Sequence, residues 1–290
     1  MNKVLCLVRV IVPTASHPSK LLPTTFIFNI QASKTASQVI LLEELITEPY
    51  FHLEEFAATT GEARFLRMQV AANTNFKISY KATVDLHYTM IDQQQLFNTV
   101  PVNKLDADVI PYLFPSRYCQ SDKLQKLATK QFGAIENAYA RVWAINEWIS
   151  ENVEYIGGLT DSSTSAHDTL TERVGVCRDF AHLGITLCRA LSIPARYFTG
   201  YAYDLNPPDF HACFEAYIGG EWIFFDPTKL VPANGLVKIA SGRDAADAAV
   251  ASIFGNTRCN SIMVKCESVD PAFKPYYLHN TQNKNGVSYQ

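Results

Sequence analysis

The stretch DFHACFEAYIGGEWIFFDPTK, residues 209 to 229, constrains the fold more tightly than any other part of this 290-residue chain. Two runs rich in aromatic and aliphatic residues flank Gly219-Gly220, and a glycine pair accepts the positive φ angles of a two-residue turn between antiparallel strands. Such a turn fixes the register. Ile218 then faces Glu221, Tyr217 faces Trp222, and further from the turn Cys213 faces Asp226. Side chains two apart on a strand share a face, so His211 becomes the diagonal neighbour of Asp226, about 7 to 8 Å away between backbones. An imidazole and a carboxylate can meet across that gap. Pro227 disfavours the αR region for Asp226, consistent with a carboxylate at the end of its strand.

The same period of two dominates residues 1 to 100. In NFKISYKATVDLHY, Phe76, Ile78, Tyr80, Ala82, Val84, Leu86 and Tyr88 alternate with polar residues. Phe65 to Val70 alternates likewise, and Asn73, Thr74 and Asn75 supply a turn, so these two segments are expected to form an antiparallel hairpin. Val4 to Val12 and Thr25 to Ile30 add further β-rich runs. Arg9 breaks the apolar start too early for a signal peptide, and the opening is expected to be a strand. A β-sandwich or barrel-like domain over 1–100 follows, then a linker over 101–117 marked by prolines at 101, 111 and 115.

From 118 to 290 a second domain of α+β class is expected. Ser121 and Asp122 can cap a helix running to about Phe132, and a second helix carries Val142, Ile145, Ile149 and Val153 on one face, with Trp143 and Trp148 as core aromatics. The Ser/Thr-rich segment Gly157 to Asp168 is expected to be a surface loop, followed by a short helix to about Arg173. A helix opened by Cys177 keeps helical spacing through Phe180, Leu183, Gly184, Leu187 and Leu191, and Pro194 stops it. Strand periodicity returns over 195–203 and 211–230. The polar tail beyond about Asn280 is expected to fray.

A formal charge of -3 and 18% charged residues provide no basic footprint, so neither nucleic acid nor an anionic membrane is an expected partner. Seven cysteines in no regular framework argue against a disulfide scaffold and for a reducing, cytoplasmic location. No apolar stretch reaches the ~18 residues of a membrane helix. No calcium-ligand run occurs, and Cys177, His182 and Cys188 are not spaced as a zinc finger, so neither a cofactor nor a metal is expected.

Cys177 stands where a helix begins. There the unpaired amides and the positive end of the macrodipole stabilise a thiolate, and its own N–H can polarise a substrate carbonyl. Gly175 allows a tight turn into the helix, and Asp179 can help cap it. His182, about 140° around the helix from the thiol, does not reach it and is expected on the helix surface or partly buried. His211, paired with Asp226 by the hairpin, is the better base. The constellation gives Cys177 as nucleophile, His211 as the base that ionises it and later protonates the leaving amine, and Asp226 as the group that orients the ring. Singly, each is a common structural residue; together, the helix-start thiol, the order and the hairpin register make a site. Cys213 is expected to serve as packing or pocket wall. Cys6, Cys119, Cys259 and Cys266 have no partner pattern.

PSRYCQSDKL at 115 to 124, GVCRDFAHLGITLCRALSIPARY at 175 to 197, HACFEAY, FFDPT and GRDAADAA at 242 to 249 together resemble the bacterial transglutaminase-like cysteine peptidases. The resemblance covers most of the second half, and the β-rich first hundred residues look like that family's N-terminal domain. It implies a papain-like Cys-His-Asp core, with the nucleophile on a helix and the other two residues on adjacent strands. Cys177, His211 and Asp226 occupy those positions. Family members often carry Trp two residues after the histidine, where this chain has Cys213. No glutamine stands upstream of the nucleophile as in papain, which leaves Tyr155 and Trp148 as candidates for the second oxyanion donor. The expected activity is thioester-forming hydrolysis of a peptide or protein amide; a transglutaminase, in which an amine replaces water, or an inactive peptide- or glycan-binding module are the alternatives.

Overall fold

The computed structural model describes residues 2–12, 23–58, 62–72, 74–255, 257, 259–280 and 284–289. Seven strands come first: β1 (Asn2–Val12), β2 (Thr24–Phe28), β3 (Gln38–Glu48), β4 (Glu54–Ala57), β5 (Arg64–Val70), β6 (Phe76–Leu86) and β7 (Thr89–Ile91). The middle of the chain holds α1 (Ser121–Phe132), α2 (Ala138–Asn152), β8 (Glu154–Tyr155), α3 (Ala166–Glu172), β9 (Val174–Gly175) and α4 (Cys177–Ala190). Then follow β10 (Ala195–Ala202), β11 (Phe210–Ile218), β12 (Glu221–Phe225), β13 (Leu236–Gly242), α5 (Ala245–Ala248), β14 (Ala251–Phe254), β15 (Ser261–Ser268) and β16 (Gly286–Ser288).

The N-terminal half is a sandwich of two antiparallel four-stranded sheets, ordered β15-β1-β6-β3 and β14-β2-β5-β4. Alternate residues of each strand turn inward, as a period of two demands. Val4, Cys6 and Val8 meet Ile78, Tyr80 and Val84 from one sheet and Phe26, Leu66 and Met68 from the other, all buried in one core. The expected hairpin between 65–70 and 76–88 does not form. β5 pairs with β2 and β4, while β6 pairs with β1 and β3. The connection therefore crosses from one sheet to the other. Alternation reports that one face is buried, not which strand lies alongside, and both segments bury the same core; Asn73 of the expected turn lies outside the described residues.

The second sheet system, β12-β11-β10-β13, is antiparallel and carries α4 on one face. Gly184 of α4 makes the approach possible: a Cβ there would lie 2.5 Å from the Phe214 ring on β11. On α2, Val142, Ile145 and Ile149 are buried as their spacing predicts, Trp143 is buried, and Val153 follows as the helix's last residue cap. α1 spans the expected residues, but Gln120 occupies its N-cap position and makes no side-chain cap bond. The polar loop ends earlier than expected, because Ser165 and Asp168 close a reciprocal capping box that starts α3 at Ala166.

The chain does not keep to a linear division at 118–290. β14 pairs with β2, β15 with β1, and β16 with β7, so the last forty residues return to strands of the first hundred. Open edges at β1 and β2 supply the unpaired backbone groups that these segments satisfy. Nor does the tail fray throughout. Val287 is fully buried and Tyr289 nearly so, packed on Phe198 and Phe224, with the Tyr289 hydroxyl donating to the Ala233 carbonyl at 2.6 Å. A polar average over the tail hides two apolar anchors.

Candidate active site

The start of α4 is built around one buried carboxylate. Val176 is extended (φ -116°, ψ -178°), and its N–H donates to Asp179 Oδ2 at 3.0 Å. Thr160 Oγ1 donates to the same oxygen at 2.7 Å. Arg178 donates to Asp179 Oδ1 through Nε at 3.1 Å and Nη2 at 2.9 Å, and Nη2 also reaches the Asp161 carbonyl at 2.6 Å. Gly175 is needed because a Cβ would lie 2.7 Å from the Asp179 side chain. The polar loop and the helix start are thereby joined, and Cys177 is left at the first helical position, partly exposed.

β8 lies parallel to β9, with Tyr155 opposite Gly175, and the Ile156 N–H donates to the Gly175 carbonyl at 3.0 Å. This brings the Tyr155 side chain to Cys177. Burial raises the phenol above its ordinary range; the charge of a Cys177 thiolate adds to this, and the Cys177 backbone N–H opposes it. Of the two oxyanion-donor candidates, Tyr155 thus stands at the thiol. Trp148 is engaged elsewhere, edge-on to Phe132 and beneath the Arg173 guanidinium at 4.8 Å.

The hairpin has the register that its glycines dictate: Ile218 opposite Glu221, Tyr217 opposite Trp222, and Phe214 opposite Phe225, with φ of 65° at Gly219 and 92° at Gly220. His211 and Asp226 come together beyond the last ladder pair. Nε2 of His211 lies 3.2 Å from Asp226 Oδ2, with both side chains buried. The approach is close, although its angle is not that of a directed hydrogen bond, and Nδ1 has no directed partner among the described residues. The Cys177 thiol also acts on the ring electrostatically. Burial pulls the His211 imidazolium down, but the Asp226 charge outweighs it, Cys177 adds to the raising, and the group is pushed up to about 10. Burial likewise opposes ionisation of Asp226, yet His211 and Thr228 hold its carboxyl below the usual range.

Thr228 was not legible as a site residue by charge or nucleophilicity. Its N–H donates to Asp226 Oδ1 at 3.0 Å and its hydroxyl at 2.7 Å, fixing the carboxylate that faces the ring. The signal available was the Asp-Pro-Thr order, since an Asp accepting from the residue two positions on is a common turn device. The expected position of His182 is corrected: it is fully buried, stacked on Tyr118 at 4.9 Å and against Tyr197 at 5.1 Å, with Nε2 accepting from the Ala245 N–H at 3.1 Å. The aromatic cover comes from residues distant in sequence, which helical spacing does not reveal. Cys213 is packing, buried among Phe198, Phe224 and Tyr289. Cys6 and Cys266, for which the sequence offered no partner, face each other across β1 and β15.

Among the described residues no helix is long and apolar enough to cross a membrane. Residues 20–108 match the family model of the bacterial transglutaminase N-terminal domain, and residues 125–227 match that of the transglutaminase-like superfamily. A solved structure described as a “putative cysteine protease”, from Cytophaga hutchinsonii, is 60% identical, with a TM-score of 0.94 over 100% of this chain and 98% of that one. An uncharacterised protein of Mycobacterium leprae is 34% identical over 117 residues, 37% of this chain and 42% of that protein. One from Mycobacterium tuberculosis (strain H37Rv) is 35% identical over 109 residues, 32% of this chain and 34% of that protein. The chain thus spans about two fifths or less of these mycobacterial relatives. With both family models matched in order and a relative of the same length at 60% identity, the chain belongs to the transglutaminase-like superfamily and carries a bacterial transglutaminase N-terminal domain.

Proposed function

We propose that this protein is a cysteine hydrolase that cleaves an amide bond of a peptide or protein through Cys177, His211 and Asp226. The superfamily supports a thiol-dependent enzyme in general; the triad and the thioester are the finer claim. One observation carries it. A fully buried imidazole lies 3.2 Å from a carboxylate, and with the charge of that carboxylate and of a thiol at a helix N-terminus acting on it, its pKa is pushed up to about 10.

In this reading His211 takes the thiol proton, and the helix N-terminus helps to hold the thiolate. The thiolate attacks the substrate carbonyl carbon, and the negative charge that develops on oxygen is met by the Cys177 N–H, with the Tyr155 hydroxyl as the second donor. The C–N bond breaks as His211 returns the proton to the departing amine, leaving a thioester. Water, deprotonated by His211, then attacks the thioester, and the thiol is released. Asp226 stays ionised and keeps the ring oriented, itself held by Thr228. The partial exposure of Cys177 lets water reach the thioester.

The test incubates the full chain with a library of glutamine-containing peptides, with and without a labelled primary amine. Cleavage or deamidation without amine incorporation, lost in Cys177→Ala, is the expected result. Amine incorporation would make the protein a transglutaminase, and binding without product, unchanged in Cys177→Ala, would make it a binding module.

A further inference from the structure

Outside the candidate active site, a second pair of nucleophilic atoms is set up across a strand boundary. Cys6 on β1 and Cys266 on β15 are direct partners in the antiparallel register, and their sulfurs lie 3.5 Å apart, both as free thiols. Directly opposed residues of antiparallel strands have Cα atoms about 4.5 to 5.5 Å apart, within the span that a disulfide bridges, so side-chain rotation is enough to join them. Other cysteines differ. Cys119 Sγ lies against the His182 carbonyl at 3.6 Å and Cys213 Sγ against that of Phe198 at 4.0 Å.

Both cysteines are buried, with Cys266 retaining 7% exposure. Cys6 is fully buried, and burial first, then Cys266, pushes its thiol well above the ordinary range. Cys266 lines a cleft together with Asp204, Leu205, Pro208 and Asp209. Its carbonyl accepts from the Asp204 N–H at 3.1 Å, so the strand bearing it is bonded to the segment that leads into His211.

We propose that Cys6 and Cys266 are a site of reversible covalent modification, closed to an intramolecular disulfide by a small hydroperoxide that enters this cleft. The Cys266 sulfur attacks one peroxide oxygen; the O–O bond breaks, the thiol proton passes to the other oxygen, which leaves as water or alcohol, and Cys266 becomes a sulfenic acid. The Cys6 sulfur attacks the Cys266 sulfur, the S–O bond breaks, and the Cys6 proton leaves with that oxygen as water. Two thiol hydrogens and two electrons have passed to the peroxide. A dithiol reductant reverses the bond by exchange. The product ties the first strand of the chain to a strand near its end and fixes one wall of the cleft.

The experiment exposes the wild-type chain to hydrogen peroxide, caps the remaining thiols with iodoacetamide, digests without reductant and maps the peptides by mass spectrometry. The expected product is a Cys6 peptide joined to a Cys266 peptide, lighter than their sum by two hydrogens and separated by dithiothreitol. Because the linkage closes a long loop, the oxidised chain should melt higher than the reduced one, by on the order of 5 °C. The wild-type map needs no variant to fold. Cys266 driven to sulfinic or sulfonic acid with Cys6 capped, or both thiols capped after an exposure that oxidises Cys177, would overturn the proposal.

Discussion

Asp226→Asn isolates the electrostatic part of the candidate site. The substitution removes the negative charge 3.2 Å from His211 Nε2 and keeps the volume, and an amide oxygen can still accept from Thr228. In the native site the imidazolium is pushed up to about 10 from an ordinary 6.5. Without the carboxylate the largest remaining influence is burial, which lowers it. The ratio of thiolate–imidazolium to thiol–imidazole falls tenfold for each pH unit by which the imidazolium weakens, so a return from about 10 toward 6.5 lowers that ratio by up to about 10³-fold. The assay is the initial rate of iodoacetamide modification of Cys177 at pH 6, resolved by peptide mapping, with urea unfolding on the same samples. Removing one partner of a buried pair also costs about 3 to 5 kcal/mol of stability, the lower end applying because the asparagine retains hydrogen bonds. The pair carries a pH signature. His211, raised above 6.5, contributes stability that is full below 6.5 and is lost as pH climbs through about 10. Asp226, lowered from 3.8, contributes stability that is full above 3.8 and is lost as pH falls through its depressed value. The variant should lack both limbs. A folded Asp226→Asn protein whose Cys177 reacts at the native rate would refute the reasoning.

Gly184→Ala should destabilise the protein by about 1 to 3 kcal/mol in urea unfolding, because the new Cβ would lie 2.5 Å from the Phe214 ring in a packed interface; equal stability would mean that α4 can move off the sheet. Tyr289→Ala should cost about 3 to 5 kcal/mol by the same measurement, since it empties a ring's volume beside Phe198 and Phe224 and removes the bond to the Ala233 carbonyl; a near-neutral result would return the tail to a frayed segment. A fragment of residues 118–290 should show no cooperative unfolding by circular dichroism, because β14, β15 and β16 all lose their pairing strands; a sharp transition would count against the interlocked arrangement.

The sequence was most legible where one local rule decides geometry. Two adjacent glycines at positive φ leave a single register for residues 210 to 225, and from that register the meeting of His211 with Asp226 follows without knowledge of the rest of the fold. The helix start at Cys177 was legible for a similar reason, since Gly175 and Asp179 lie within one turn of it. What failed was partner choice over distance. Residues 65–70 and 76–86 both announce a buried face, yet that face is served equally well by strands in one sheet or in two opposed sheets. His182 reads as a helix residue of unremarkable spacing, and its cover of Tyr118 and Tyr197 comes from other elements. Thr228 was hidden for another reason: it bonds to Asp226 through a hydroxyl, and hydroxyls are everywhere in a sequence.

Interlocking of the two halves bears on how the site is held. The sheet that carries His211 and Asp226 is braced by α4 on one face and by Tyr289 on the other. Its edge strand β13 is tied to the N-terminal sandwich through Lys238, whose N–H donates to Gln38 Oε1 at 2.8 Å and whose carbonyl accepts from Ser33 N at 2.9 Å and Gln38 Nε2 at 2.9 Å. Tyr201 on β10 reaches across to donate its hydroxyl to the Ile30 carbonyl. Beside this seam Arg196 Nε meets Glu215 Oε2 at 2.5 Å in the interior, and Lys238 lies 3.1 Å from Glu62 of the sandwich. Buried charges of this kind stabilise only when their geometry is kept, so a shift between the halves would leave them uncompensated. On the proposed function, a base and its orienting acid that must stay within about 0.5 Å of a working geometry gain from strands so fixed, because a loop-borne pair would need to be reordered at each turnover. The N-terminal sandwich thus contributes to the candidate site without supplying any of Cys177, His211 or Asp226: it limits the freedom of the sheet on which two of the three are mounted.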